Sequence, residues 1–218
     1  MSICITAFKW VPPLAQGLVK DLRVRWALEE AGLPYSEKLL GLGEHNSAAH
    51  RAVQPFGQVP VYEEDGLTLF ESGSIVLHIG ERSPVLLPTD PARRARAITW
   101  MFAALNSLEP PVQNLASIDL FFANEEWGKA RRPGAEKMAQ IRLNELAVSL
   151  EGRDYLDGKF TAGDLLMVSV LRLLRHTSMV KDMPVLAAYL ARCEARPAFQ
   201  RALAAQVGHF EKNAPMAA

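Results

Sequence analysis

The sequence is poor in cysteine, has no excess of charge of either sign and contains no long apolar run. Its two cysteines, Cys4 and Cys193, are too few for a disulfide-rich scaffold or a CxxC metal site. The 24 basic residues equal the 24 acidic ones, so the chain lacks the broad positive field that holds nucleic acid or an anionic membrane. No segment approaches the ~20 apolar residues of a membrane-spanning helix, and the N-terminal segment lacks the charged leader of a secretory signal. We therefore expect a soluble, cytoplasmic protein without a nucleic-acid or membrane partner.

Motifs of several enzyme classes are missing as well. The five histidines form no HExxH pattern, and no metal site is predicted from their spacing. The sequence contains no GxGxxG motif that opens a helix, no GxxxxGKS/T loop and no GxSxG turn after a strand. Nucleotide-binding folds and serine hydrolases are therefore not supported.

The chain changes character near a stretch that carries three prolines, residues 81–91. Before it, short β-type runs alternate with helical ones in the order β-α-β-α-β-β-α. After it, the pattern is helical throughout, with helices predicted over 92–115, 134–150, 162–175, 184–195 and 197–207. We therefore predict an α/β domain over 1–82, a linker over 83–92 and an all-α domain over 93–218.

Local signals place most elements of the first half. Predicted strands span 2–8, 35–40, 59–62 and 67–70, and Asp65-Gly66 predicts a tight hairpin turn. The helix over 22–31 follows from its apolar spacing, with Asp21 predicted to cap its first amides. Because this helix crosses between the first two strands, those strands are expected to be parallel. Arg23 and Arg25 on the helix are interpreted as surface or domain-contact charges.

One signal in the second half is a helix start. Thr161 is predicted as the N-cap and Asp164 as the third helical residue of a capping box, with Phe160 packing on Leu165 as a hydrophobic staple. This motif indicates a structural element and carries no chemistry.

The segment that points to a binding site runs from residue 54 to residue 75. Pro60 begins a run that otherwise reads as a strand, and a cis bond before it would turn the backbone of Val59 outward, where an extended peptide can pair with it. Ser72 opens a helix, whose free amides and hydroxyl suit a carboxylate. Glu71 can accept from an ammonium group. Together these features indicate a site for a small zwitterionic peptide.

Five segments, in order and at these distances, resemble the cytosolic glutathione S-transferase family, with bacterial, theta-like and phi-like features. They are residues 25–35, 43–47, 55–60, 69–75 and 160–164. The resemblance implies a thioredoxin-like domain followed by an all-α bundle, usually in a homodimer. It also implies glutathione as co-substrate, no metal, and a role in detoxification.

The resemblance extends to single residues of the binding site. Val59 matches the position that pairs with the cysteinyl backbone of glutathione, and Pro60 matches the cis-proline that follows it. Glu71 and Ser72 match the pair that holds the γ-glutamyl end.

Three more positions bear on the comparison with the family. Gln58 lies next to the backbone contact and is expected near the ligand. His45 matches a histidine that approaches the glycyl carboxylate in plant and theta-like members. The lysine expected directly after it is Asn46 here.

The first loop departs from the family pattern. Most members place a Tyr, Ser or Cys there to activate the thiol, but residues 9–20 contain no Tyr, Ser, Thr or Cys. The catalytic residue is therefore unknown, with Lys9 and Lys20 as cationic candidates and the amides of 17–19 as possible donors. Trp10 is a candidate wall of the electrophile pocket, together with Met101, Leu105 and Asn106.

Two functions remain open at this stage. The first is a glutathione transferase whose bound thiolate attacks small hydrophobic electrophiles or reduces peroxides. The second is a non-catalytic binding or interaction protein on the same scaffold, which the missing hydroxyl favours.

Overall fold

A computed structural model describes residues 2–215, and its first part folds around a mixed sheet of four strands in the order β2-β1-β3-β4. The strands are β1 (Ile3–Phe8), β2 (Tyr35–Leu40), β3 (Tyr62–Glu64) and β4 (Leu67–Leu69). β1 pairs parallel with β2 and antiparallel with β3, and β3 pairs antiparallel with β4. The predicted parallel pair and hairpin are therefore confirmed.

Three helices accompany this sheet: α1 (Asp21–Ala31), α2 (Ala48–Arg51) and α3 (Ser72–Gly80). Short 3-10 turns precede α1 and α2, at Pro13–Ala15 and Glu44–Asn46. The sequence order of strands and helices is the one predicted. This order, together with the four-stranded sheet, makes the first part of the chain thioredoxin-like.

The prediction that Asp21 caps α1 was wrong, because Asp21 lies inside the protein. Lys20 occupies the cap position without a side-chain hydrogen bond to the helix, while Asp21 is fully buried. Its carboxylate accepts hydrogen bonds from Arg25 Nε at 2.7 Å and from Gln206 Nε2 at 2.6 Å. Burial raises the pKa of the Asp21 carboxyl, and the charge of Arg25 opposes this shift. Of the two placements predicted for Arg25, at the surface or at a domain contact, the surface placement was wrong, since Arg25 is fully buried and pairs with Asp21 and Glu37.

The last helix, α9 (Pro197–Lys212), belongs to the same compact unit as the sheet. That unit comprises the residues up to Ser83 and those from Arg196 onward, whereas Pro84–Ala195 form a second unit. Phe199 of α9 packs edge-on against Trp26 of α1 with ring centroids 4.8 Å apart. The domain limits of 82 and 93 stay a prediction. The packing of α9 on α1 adds this helix to the first unit, and the periodicity of a single helix cannot reveal such a contact.

The second unit is helical. Its helices are α4 (Pro91–Phe102), α5 (Glu109–Phe121), α6 (Glu126–Leu150), α7 (Ala162–Leu171) and α8 (Pro184–Glu194). Within residues 2–215, every helix is too short or too polar to cross a membrane.

Three of these helices, α4, α5 and α6, differ from the predicted bounds near prolines. A π-helical segment, Ala103–Leu108, separates α4 from α5, where one regular helix was predicted. Pro110 and Pro111 follow it and have no N–H to donate to the carbonyls four residues earlier, which favours a widened turn. α6 in turn continues through Pro133 and begins at Glu126, whereas the predicted helix begins at residue 134.

The capping box at α7 is confirmed. Thr161 Oγ1 accepts from the Gly163 amide at 3.2 Å, and Asp164 Oδ2 accepts from the Thr161 amide at 2.8 Å. Asp164 also accepts from the Leu156 amide and from the Tyr189 hydroxyl, both at 2.9 Å. Burial raises the pKa of Asp164, and the hydrogen bonds that its carboxylate accepts oppose the shift.

We expect Asp164→Ala to lower the free energy of unfolding by about 3 kcal/mol, because it removes the cap and leaves buried donors unsatisfied. Urea denaturation measures this loss. The matched control is Asp154→Ala, since the Asp154 side chain is 71% exposed and its loss should cost less than about 0.5 kcal/mol. Similar losses in the two variants would contradict a structural role for the Asp164 hydrogen bonds.

Candidate functional site

The backbone around Val59 is open on one side. The Val59–Pro60 peptide bond is cis, as the resemblance implies. Thr6 and Val61 close the neighbouring ladder, with Thr6 N donating to Val61 O at 2.8 Å and Val61 N donating to Thr6 Oγ1 at 2.6 Å. The N–H and C=O of Val59, in contrast, make no hydrogen bond to any residue in 2–215. An extended peptide can therefore pair with Val59 as an added strand does.

The turn before Val59 is held from α2. His50, which is buried, places its Nε2 at 2.8 Å from the carbonyl oxygen of Gln58. Since a carbonyl only accepts, this nitrogen is the protonated one. Gln54, also buried, accepts from the Phe56 amide at 2.7 Å through its side chain. His50 and Gln54 were not predicted as site residues, although a buried polar side chain beside an X-Pro turn is the kind of residue that fixes such a turn.

The start of α3 is arranged to receive an anion. Its first three amides, those of Ser72, Gly73 and Ser74, have no acceptor within the described part of the chain. No acidic side chain lies in the first turn of this helix. Open amides and the positive end of the helix dipole together favour a carboxylate here.

Glu71, the residue before this helix, has a strained backbone. Its φ is 68° and its ψ is 113°, a region that side-chain-bearing residues seldom adopt. Its side chain is exposed, so its carboxylate faces solvent beside the open amides. Backbone strain of this kind is found most often at functional sites.

Arg23 adds a buried positive charge to this corner. Of the two placements predicted for it, at the surface or at a domain contact, the surface placement was wrong, because it is 3% exposed. Its Nη1 lies 3.3 Å from Ser72 Oγ. Because a guanidinium only donates, the Ser72 oxygen accepts, and its own hydrogen remains available to a ligand.

His45 lies in the turn before α2. Its ring is half-buried and stands edge-on to Phe8, with centroids 5.5 Å apart. Its Nε2 lies 3.0 Å from Asn46 Nδ2. Its Nδ1 is buried and has no hydrogen-bond partner among residues 2–215.

The first loop offers backbone and lysine groups in place of a hydroxyl. Gln206 of α9 fixes it, accepting from the Gly17 amide at 3.1 Å and donating to the Val19 carbonyl at 3.2 Å. The Leu18 amide donates to a carbonyl of the same loop at 3.0 Å. Of the three amides predicted as donors, that of Val19 therefore stays unpaired within the described chain.

The remaining candidates of the loop differ in exposure. Lys9 and Lys20 are exposed and Trp10 is half-buried. All three belong to the first compact unit. Their roles stay predictions.

The candidates for the electrophile pocket in the second unit lie at the end of α4 and in the π-helical segment. Met101 is buried, Leu105 is half-buried and Asn106 is exposed. The prediction assumed regular helical spacing, which the π-helical segment changes. Their role stays a prediction. Within residues 2–215, no group of three or more His, Cys, Asp and Glu side chains is placed to hold a metal ion.

A family model and individual known proteins both show similarity of this chain to glutathione S-transferases. Residues 17–81 match the family described as "Glutathione S-transferase, N-terminal domain". Glutathione S-transferase 4 of Zea mays is 30% identical over 187 residues, which cover 81% of this chain and 83% of that protein. Probable maleylacetoacetate isomerase 2 of Drosophila melanogaster is also 30% identical, over 83% of this chain and 81% of that protein.

Among solved structures, one similar chain is a glutathione transferase of Burkholderia graminis with two glutathione molecules bound per subunit. It is 25% identical, has a TM-score of 0.81, and the match covers 93% of this chain and 88% of that one. These similar proteins come from a plant, an insect and a bacterium. The bacterial character read from the sequence therefore stays a prediction.

We expect Glu71→Gly to raise the free energy of unfolding by about 0.5–1 kcal/mol, because glycine adopts positive φ without the Cβ penalty. Urea denaturation measures the change. The control is Glu81→Gly at the other end of α3, where φ is −57° and glycine relieves no strain, so that stability should fall. Destabilisation by both substitutions would contradict strain at Glu71.

Proposed function

The chain belongs to the glutathione S-transferase family, and we propose that it binds glutathione and uses the bound thiolate to attack small hydrophobic electrophiles. The observation that carries the proposal is the open backbone of Val59 in the same compact unit as the open amides of α3. One feature suits the middle of an extended tripeptide, and the other suits its acidic end. The glutathione-bound relative from Burkholderia graminis supports the same ligand.

In the proposed complex, the tripeptide is held at its middle and at its γ-glutamyl end. Val59 pairs with the cysteinyl backbone, beside Pro60. The γ-glutamyl carboxylate accepts from the α3 amides and the Ser72 hydroxyl, with the Arg23 charge behind them. Glu71 accepts from the γ-glutamyl ammonium group.

The glycyl end is assigned to the turn that contains His45. The unpartnered Nδ1 of His45 supports this placement, because a buried donor without an acceptor is a cost that a carboxylate removes. Gln58 lies next to the paired backbone and is proposed to contact the ligand.

Activation of the thiol must proceed without a hydroxyl from the first loop. A free thiol titrates near ~8.5, and donors or cations that favour the thiolate lower this value. The proposed donors are the open Val19 amide and the ammonium groups of Lys9 and Lys20. The thiolate then forms a C–S bond with the electrophilic carbon, and the leaving group departs or the adjacent atom takes up a proton.

The other substrate and the assembly are proposals of the same kind. Trp10, Met101, Leu105 and Asn106 are proposed to contact the electrophile. Peroxides are proposed as the alternative second substrate, which the thiolate would reduce. A homodimer in the cytoplasm is proposed from the family. The isomerase among the similar proteins indicates that similarity at this level spans more than one reaction.

The second candidate is a protein that binds glutathione without using its thiol. A specific observation favours it: residues 9–20 contain no Tyr, Ser, Thr or Cys. Ordering an exposed lysine side chain beside the thiol also costs more conformational entropy than ordering a short hydroxyl side chain. Binding and activation therefore need separate measurements.

We expect glutathione to bind with a micromolar to millimolar dissociation constant, and Ser72→Ala to weaken it about tenfold, since a hydrogen bond to a charged group is lost. Arg23→Met should weaken it similarly. Isothermal titration calorimetry measures both. The control is Ser74→Ala, because Ser74 is exposed on the same helical turn. No binding to the unmodified protein would refute the proposed function.

We expect bound glutathione to show the ultraviolet absorbance of a thiolate at a lower pH than free glutathione does, because donors and cations in the site favour the charged form. The measurement is a pH titration of that absorbance. Lys9→Ala or Lys20→Ala should move the midpoint upward if that lysine supplies the charge, and a midpoint unchanged in both leaves the Val19 amide. A titration identical to that of free glutathione would establish the non-catalytic alternative.

A further inference from the structure

Arg51, the last residue of α2, links the two loops that flank this helix. Its Nη1 donates to the carbonyl of Pro55 at 3.0 Å, and its Nη2 donates to Asn46 Oδ1 at 2.9 Å. Gly57 leaves the space for this guanidinium. A Cβ at Gly57 would lie 3.0 Å from Arg51 Nη2 and 3.0 Å from the carbonyl oxygen of His45. Two hydrogen-bond acceptors and the close approach of Gly57 therefore hold the Arg51 guanidinium in place.

The hydrogen bonds determine how Asn46 and His45 face each other. Because a guanidinium only donates, the Asn46 atom that meets Arg51 must be the carbonyl oxygen. The amide nitrogen of Asn46 then faces His45 Nε2 at 3.0 Å. Since that nitrogen only donates, Nε2 must accept, and the ring hydrogen lies on Nδ1. Nδ1 is the buried atom that lacks a partner, so the chain of contacts leaves a ring donor ready for an acceptor.

Arg51 brings a positive charge to the turn that contains His45 and Asn46. Asn46 stands where the family resemblance implies a lysine directly after the histidine. The nearby carboxylate of Glu44 is turned to the Gly41 amide, at 2.7 Å. Arg51 therefore brings a cation from α2 to this turn, where its guanidinium holds the side chain of Asn46.

We propose that Arg51 and Asn46 are positioning residues for recognition of the glycyl carboxylate: Arg51 orients Asn46, Asn46 fixes the ring hydrogen of His45 on Nδ1, and Arg51 replaces the charge of the missing lysine. The inference rests on the proposed function, because it concerns the same ligand. It assigns the specificity for the third residue of the tripeptide to side chains that need not touch the thiol.

The test compares two ligands, glutathione and γ-glutamylcysteine, which lacks the glycine. Calorimetric titration of the full-length protein gives the ratio of their dissociation constants, and we expect glutathione to bind about tenfold more tightly. Arg51→Gln and Asn46→Ala should each reduce this ratio to about two or three. Neither should change the affinity for γ-glutamylcysteine by more than about twofold, which also shows that the variants are folded.

Matched variants separate this role from a general effect on the site. Arg201→Gln makes the same substitution at an exposed arginine of the first unit that pairs with Glu29, and it should keep the full ratio. Ser72→Ala should weaken both ligands and leave the ratio unchanged. Asn46→Lys placed in the Arg51→Gln background should restore most of the ratio, because it returns a cation to the position that the family pattern implies.

Two results would overturn the inference. One is a full glycine-dependent ratio in both Arg51→Gln and Asn46→Ala, with glutathione binding intact in the unmodified protein. The other is an unmodified protein that binds both ligands equally. If the unmodified protein binds neither ligand, the proposed function itself fails, and the inference fails with it.

Discussion

Helix α1 carries two arginines into the interior of the first unit, and a buried guanidinium has to be met by polar partners on neighbouring elements. Arg25 is met by Asp21, one turn earlier on the same helix, and by Glu37 of β2. Glu37 in turn pairs with His209 of α9. The helix is therefore joined by an ion pair to the sheet and, through Glu37, to α9.

This pairing extends to the loop that lacks a hydroxyl. Asp21, which balances Arg25, also accepts from Gln206, and the same amide group of Gln206 contacts the loop backbone at Gly17 and Val19. Since Gln206 is fully buried, its three contacts stay fixed together. The conformation of the first loop is thus set by the buried charges of α1 and by a helix from the far end of the sequence. Arg23 links the same helix to Ser72, so α1 supports both the loop and the proposed γ-glutamyl site.

Sequence patterns were sufficient where the cause of structure is local. The hairpin at Asp65-Gly66, the β2 strand and the capping box of Thr161 and Asp164 depend on residues a few positions apart, and each was predicted. Burial of Arg23 and Arg25 depends on what packs against α1, which a helical period does not contain. The i,i+4 spacing of Asp21 and Arg25 was a usable signal of an ion pair, but it does not distinguish an exposed pair from a buried one. The π-helical segment had a local signal in Pro110 and Pro111, which the prediction of one helix over 92–115 did not use. The continuation of α6 through Pro133 had no such signal, because an interior proline favours a helix end.

The absence of a hydroxyl in the first loop changes what thiol activation would have to depend on. A hydroxyl carries its own donor and needs only a suitable rotamer, whereas a backbone amide donates in the one direction that the chain path allows. The open Val19 amide belongs to the same residue whose carbonyl Gln206 holds, two positions before the start of α1. Any stabilisation of a thiolate by this amide would therefore be inseparable from the buried contacts that shape the loop. In the proposed enzyme, the charges that hold α1 in place would also set the direction of the donor, so that fold stability and thiol chemistry would share one set of residues.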